Sequence, residues 1–184
     1  AYGRSTVPSP HLDALAVDGV RFDNSFCTAP QCSPSRAGLY TGRYPHATGM
    51  FGLAHEPFGW RLHDNEVHLA RYLRDAGYTT IQVGVQHVTD HAPAAVRELG
   101  FQQVRPAHHA GDVAHLAIDW LRSSPQRPFF LNIGFTEPHR DENGLFRQAP
   151  PDTSQGVEVP AYLPQTAEAH AEFAELQGVI GLMD

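Results

Sequence analysis

Twice in this chain a helical pattern runs straight into a β pattern, and that repeated order limits the available folds more than any other feature. In the first instance Val67, Leu69, Ala70, Leu73 and Ala76 make an apolar stripe that starts from Asn65 and stops at Gly77. Tyr78 to Gly84 then reads as a strand, by its β-branched content. In the second, Asp112 can cap a helix whose inner face is Val113, Leu116, Ala117, Trp120 and Leu121. Arg127-Pro128 then introduces Phe129 to Phe135, a run apolar enough for a central strand. Helix followed by strand is the repeating unit of an α/β sheet with helices on its faces. At 184 residues the chain fits one domain with a substantial core.

Around these units the pattern is more mixed. Ala1 to Pro8 has no periodicity. Ser9-Pro10 opens a helix in which Leu12, Leu15 and Ala16 share a face and Gly19 is the stop, and Val20 to Phe26 alternates like a short strand. Residues 43–64 read as loop, 93–99 as a short helix, and 141–164 as a long proline-rich excursion. Thr166 caps a last helix with Ala169, Phe173, Leu176, Val179, Ile180 and Met183 facing inward. The net charge is −7 and all 13 basic residues are arginine, which gives no basic patch for nucleic acid. No apolar run is long enough to span a membrane, and no signal-peptide pattern opens the sequence.

The chemistry concentrates in residues 32–42, Cys-Ser-Pro-Ser-Arg-Ala-Gly-Leu-Tyr-Thr-Gly. Ser33 can cap a helix, Pro34 suits its first position, and Gly42 suits its end. Cys32 then lies at the positive end of that helix with Arg36 one turn on and facing the same way, an arrangement that favours a bound anion. Cys27 lies five residues before Cys32. A disulfide between them is geometrically possible, and a zinc site would need further ligands, so Cys27 reads as a packed thiol near a strand end. His87 and His91, four apart, and the adjacent His108 and His109 read as solvated or locally bonded.

The Cys-x-Pro-Ser-Arg run resembles the sulfatase family, as do Pro10 to Ala16 and Gly19 to Asn24, which precede it. Gly49 to Leu53, Arg127 to Leu131 with Pro138-His139-Arg140, and Val159-Pro160 followed by Leu163 to Thr166 resemble the heparan N-sulfatase type in particular. The resemblance implies an α/β, alkaline-phosphatase-like fold with a mixed, largely parallel sheet flanked by helices. It also implies that residues 1–184 are a partial N-terminal catalytic domain, incomplete at both ends. Cys32 is then expected to be oxidised to formylglycine by a formylglycine-generating enzyme. The hydrated aldehyde attacks the sulfur of a sulfate ester or sulfamate with one hydroxyl and expels sulfate with the other.

By the same resemblance Arg36, His87 and His139 contact the sulfate of a small-molecule or glycan substrate. Cys32 is also a ligand to a calcium ion, whose remaining ligands, an Asp-Asp pair and an Asp-Asn pair, are expected before and after this stretch. Val85 departs from the pattern, because the family carries lysine there. That departure keeps open a non-catalytic glycan binder, and the anion's tetrahedral shape keeps open a phosphonate or phosphate ester hydrolase.

Overall fold

The structure, a computed structural model, describes residues 6–184; the first five residues of the patternless Ala1 to Pro8 stretch lie outside the described residues. The elements in chain order are α1 (Pro10–Asp18), α2 (Cys32–Thr41), α3 (Pro45–Thr48), α4 (Leu69–Asp75), β1 (Thr79–Gly84), α5 (Pro93–Glu98), β2 (Gln103–Arg105), α6 (Ala110–Arg122), β3 (Phe129–Gly134) and α7 (Ala167–Met183). They divide into a sheet unit, Phe26–Phe135, and a unit made of Ala1–Ser25 with Thr136–Asp184.

The sheet unit is a parallel sheet in the order β2-β1-β3. Its central strand is therefore β1. The register pairs Ile81 with Leu131 and Gly84 with Gly134. Alternation along the strands sorts the two faces. Ile81 and Val83 bury against Val113, Ala117 and Trp120 of α6, with Phe129 and Leu131 alongside. A second cluster joins Ala70 of α4, Val96 of α5 and Phe101, with Val104 and Phe130 packed against it. Two helical layers thus cover one sheet, as the helix-then-strand order requires.

Several sequence expectations need correction. The apolar run Phe129 to Phe135 forms β3 at an edge of the described sheet, and Ile133 stays exposed. The short strand β2 pairs in register with Ile81 to Val83 and takes the second flank of β1, although its three residues gave no sequence signal. Val20 to Phe26 is not a strand: none of it pairs in the described sheet, and Phe26 is 89% exposed. A lone extended segment has no ladder to satisfy its backbone groups, so alternation alone cannot hold it. Helix α4 begins at Leu69 rather than near Asn65, because the His68 side chain caps it through Nδ1, which accepts from the Ala70 N–H at 3.1 Å. Pro45–Thr48 forms the short helix α3 inside the expected loop. Asp112 lies within the first turn of α6, whose cap position is His109.

In the other unit, α1 has the expected bounds but buries none of its residues, and Leu15 is 68% exposed. Its first N–H groups, those of His11 and Leu12, donate to the Asp184 carboxylate at 2.9 Å. Thr166 caps α7 as expected, accepting from the Ala169 N–H. Of the expected stripe on α7 Val179 is buried, and the other buried residues are Ala174 and Gln177, which lie beside that stripe. The proline-rich segment sets that burial: Gln177 Nε2 donates to the carbonyls of Asp152 and Gly156, and Gly178 packs on the Pro150 carbonyl.

Candidate active site

Cys32 is the first residue of α2, capped in backbone terms by Gln31 and closed by Gly42 in the left-handed region. Ser33 does not serve as the cap. Its hydroxyl is buried and accepts the Ala54 N–H at 3.0 Å, which ties the start of α2 to the loop 49–55. Cys32 is half-buried, and Arg36 follows it by one turn. Cys27 and Cys32 are both free thiols. Cys27 is exposed rather than packed, because the strand expected to shelter it does not form.

The middle of α2 is fitted to its surroundings. Gly38 approaches Thr28 so closely that an added Cβ would fall 2.2 Å from the threonine hydroxyl. This contact accounts for a glycine inside a helix, where it costs about 1 kcal/mol relative to alanine. On another side Tyr40 Oη donates to Asn132 Oδ1 at 2.8 Å, and Asn132 Nδ2 donates to Gln82 Oε1 at 2.6 Å. This polar chain docks α2 onto β3 and β1. Ala37, Met50 and Val88 complete the contact as a buried apolar cluster.

Val88 belongs to the loop that leaves β1, and His87 precedes it. His87 has φ +59°, an uncommon backbone state for a residue with a side chain. The buried Gln86 holds that state by acting as a surrogate strand partner. Its Oε1 accepts from the Val88 and Thr89 N–H groups at 2.6 and 3.1 Å, and its Nε2 donates to the Thr89 and Asp90 carbonyls, both at 3.0 Å. His55, one residue beyond the Ala54 amide that Ser33 holds, places Nδ1 2.7 Å from His87 Nε2.

Of the histidines read as solvated or locally bonded, His87, His91 and His108 contact one another through their rings. His87 stacks on His91 at 5.5 Å between ring centroids, and His91 meets His108 edge-on at 6.1 Å. Burial, then the charges of His108 and His55, lower the His91 pKa, while Asp90 pulls it upward.

Cys32, Arg36 and His87 thus lie in one unit, on two segments bridged by Ser33–Ala54 and His55–His87 contacts. His139 belongs to the other unit, on an exposed turn five residues past β3. Its N–H donates to the Thr136 carbonyl at 2.9 Å, and its Nδ1 lies 2.8 Å from the Arg140 carbonyl oxygen. Since a carbonyl can only accept, Nδ1 carries the proton, and Nε2 is the nitrogen available as an acceptor in the neutral ring. Sequence reasoning missed His55, Gln86 and the Tyr40–Asn132–Gln82 chain. The signal for the last was the polar residue interrupting each apolar strand, Gln82 in one and Asn132 in the other.

An open parallel sheet covered by helices, with its candidate side chains at a helix start and on the loop leaving the central strand, is an α/β fold, and its likeness to solved structures makes it one of the alkaline-phosphatase-like class. Solved structures agree with that class. A sulfatase candidate from Bacteroides fragilis matches 98% of this chain and 52% of its own, with a TM-score of 0.74 and 20% identity. The phosphonate monoester hydrolase of Agrobacterium radiobacter matches 98% of this chain and 53% of its own, with a TM-score of 0.70 and 19% identity.

At the sequence level a sulfatase family model matches residues 1–175. Human N-sulphoglucosamine sulphohydrolase is 31% identical over a 213-residue alignment that covers 100% of this chain and 42% of the human one. The chain belongs to the sulfatase family. It spans less than half the length of that human relative.

Proposed function

We propose that this chain forms part of the N-terminal catalytic domain of a sulfuric ester hydrolase that removes O- or N-linked sulfate from a sugar, with Cys32 as its nucleophilic position. The observation that carries this reading is the placement of Cys32 as the first residue of α2, with Arg36 one turn on and the His87 loop fastened alongside. The inclusion of a sugar N-sulfate follows the human relative, named for the hydrolysis of N-sulphoglucosamine.

In this proposal a formylglycine-generating enzyme and an external oxidant convert the Cys32 thiol carbon to an aldehyde with loss of sulfur. The modified residue then supplies an oxygen nucleophile and a route to release sulfate that a thiol lacks. The positive end of α2 faces the incoming anion. The Arg36 guanidinium matches two sulfate oxygens at once, and His87 and His139 serve as further polar contacts.

Calcium needs six to eight oxygen ligands. Among the described residues no group of three histidine, cysteine, aspartate or glutamate side chains is placed to hold a metal ion. Those residues do not fit a calcium site, and no step of this proposal passes through one. Cys32 therefore stands as the nucleophilic position, without a ligand role drawn from the described residues.

The test has two parts. The protein is expressed with the modifying enzyme, and intact mass reads whether position 32 carries an aldehyde. The modified protein is then compared on an aryl sulfate, glucosamine N-sulfate and an aryl phosphodiester. Aldehyde formation with sulfate release that Cys32→Ala abolishes is the expected result. An unmodified thiol, or sulfate release unaffected by Cys32→Ala, overturns the proposal. Preference for the phosphodiester would replace it with the phosphate-type reading, for which the fold of the Agrobacterium hydrolase allows.

A further inference from the structure

Gln82 and Asn132 interrupt β1 and β3 at positions that pair in register, so their side chains lie next to each other on one face of the sheet. That face is opposite the one that Ile81 and Val83 turn to α6. Tyr40 of α2 reaches the same face. The three side chains make one unbranched run of hydrogen bonds. Tyr40 Oη donates to Asn132 Oδ1, and Asn132 Nδ2 donates to Gln82 Oε1. Gln82 Nε2 in turn donates to the Val83 and Gly84 carbonyls at 3.0 and 3.3 Å.

Chemistry fixes the direction of every link. A backbone carbonyl only accepts, so Nε2 is the end of Gln82 that meets Val83 and Gly84, and Oε1 is the end left for Asn132. Asn132 must then offer Nδ2 to Gln82, which leaves Oδ1 for Tyr40, and the phenol must donate. Turning either amide over breaks the bonds on both of its sides. Gln82 is fully buried, so water cannot replace the bonds it would lose.

The run reaches both parts of the candidate site. Tyr40 follows Cys32 on the same helix, about 12 Å further along its axis at 1.5 Å per residue. Near the start of that helix the Ser33 hydroxyl accepts the Ala54 N–H, and between the two anchors Ala37 is buried against Met50 and Val88. Polar anchors near opposite ends keep α2 from sliding or swinging on the sheet. The inner end of the run lies on Gly84, the last residue of β1, from which the loop carrying His87 departs. The next N–H, that of Val85, donates to the Gly134 carbonyl at 2.9 Å.

We propose that Tyr40, Asn132 and Gln82 are positioning residues, a directional hydrogen-bond run that sets α2, and with it Cys32 and Arg36, against the start of the His87 loop. That Cys32, Arg36 and His87 meet a sulfate rests on the reading given under Proposed function. The positioning follows from the bonds named above. Tyr40 acts through α2 and Gln82 acts through β1, so losing either end misplaces a different half of the site. Asn132 joins the halves, because it alone both accepts from one and donates to the other.

The experiment is amide NMR with hydrogen exchange on the full chain as wild type, Tyr40→Phe, Asn132→Asp and Trp120→Phe. Tyr40→Phe removes one hydroxyl and keeps the ring. Asn132→Asp still accepts from Tyr40 but cannot donate to Gln82. Trp120→Phe loosens the core on the opposite face and loses the bond to Gln103, so it is the control for lost stability alone. In Tyr40→Phe the Ala54 amide, near the far end of α2, is expected to shift and to exchange about tenfold faster, with the Val85 amide unmoved. In Asn132→Asp the Val85 and Val88 amides should shift while Ala54 stays. Shifts at Ala54 in Tyr40→Phe no larger than those in Trp120→Phe overturn the proposal.

The same proteins, with position 32 converted to the aldehyde, are then assayed on an aryl sulfate. Tyr40→Phe is expected to lower kcat about tenfold at nearly unchanged KM, the mark of misplaced reacting groups, while Trp120→Phe keeps both below its unfolding range. Shifts at Ala54 with kcat unchanged overturn the bearing of the run on the reaction. A wild type that carries the aldehyde yet releases no sulfate counts against the function reading, and the amide shifts then decide the positioning by themselves.

Discussion

At the scale of single residues, the site depends on side chains that do not themselves do chemistry. Gln86 is the clearest. Buried and bonded four times to the backbone of residues 88–90, it keeps His87 in a left-handed backbone state that costs of order 1 kcal/mol or more. Replacing it with leucine preserves the volume but strands the Val88 and Thr89 N–H groups away from a partner. Gln86→Leu is expected to lose about 3 kcal/mol, since each buried group left unsatisfied costs more than the net worth of its bond. Urea unfolding measures that loss. Hydrogen exchange at the Val88 and Thr89 amides locates it, and exchange left as slow as in the wild type would show that Gln86 does not hold the loop. None of this was legible beforehand, because a glutamine after a strand has no local pattern to mark it. His55 was hidden for a related reason. Its partner is 32 residues away, and only the folded chain brings the two rings together.

At the scale of elements, the sequence was most informative where local pattern and tertiary packing agree. The Gly77 and Gly42 stops, the Pro-opened α1 and the short helix near 93–99 reflect backbone chemistry that the chain states locally, and all appear as expected. Strand rank is different. Phe129 to Phe135 is more apolar than Thr79 to Gly84, yet β1 is central, because centrality depends on having partners on both edges and not on hydrophobicity alone. The ends of β1 and β3 show the tightest fit. Gly84 and Gly134 face each other across the pair, and a Cβ on Gly134 would sit 1.9 Å from the Val85 carbonyl oxygen. The obstacle is backbone, so no side chain can swing aside. Gly134→Ala is therefore expected to push the strand ends apart, with a cost of about 3 kcal/mol. The same change should loosen the loop that carries His87. A thermal midpoint unchanged from the wild type would mean that the strand ends have slack which this close approach denies.

At the scale of the whole molecule, one buried histidine gives the sheet unit a pH limit. His68 caps α4 through Nδ1, and its ring lies 4.7 Å from that of Tyr40 on α2 and 5.5 Å from that of Phe101. It therefore stands where the two apolar clusters beside α2 and α4 approach each other. Burial, and secondarily the nearby charge of Arg71, lower its pKa from 6.5 to about 4. Nε2 is buried without a protein partner, so a proton there makes no compensating bond among the described residues.

The sign follows from linkage. Between those two values the unfolded chain binds a proton that the folded chain refuses, so the stability from neutral His68 is whole above about pH 6.5 and is lost as pH falls towards 4. The carboxylates whose pKa values are lowered, Asp141, Asp152, Glu168 and Asp184, start from 3.8 or 4.5 and act only at lower pH. His91, also lowered, adds to the slope in the same direction as His68. Urea unfolding followed through tryptophan emission should therefore show a loss of about 2 kcal/mol from His68 between about pH 7 and about pH 5. His68→Asn keeps an oxygen to accept the Ala70 N–H but cannot take up the proton. That variant is expected to flatten the profile to the smaller slope His91 leaves. A profile as steep as that of the wild type would place the pH sensitivity elsewhere than at the cap of α4.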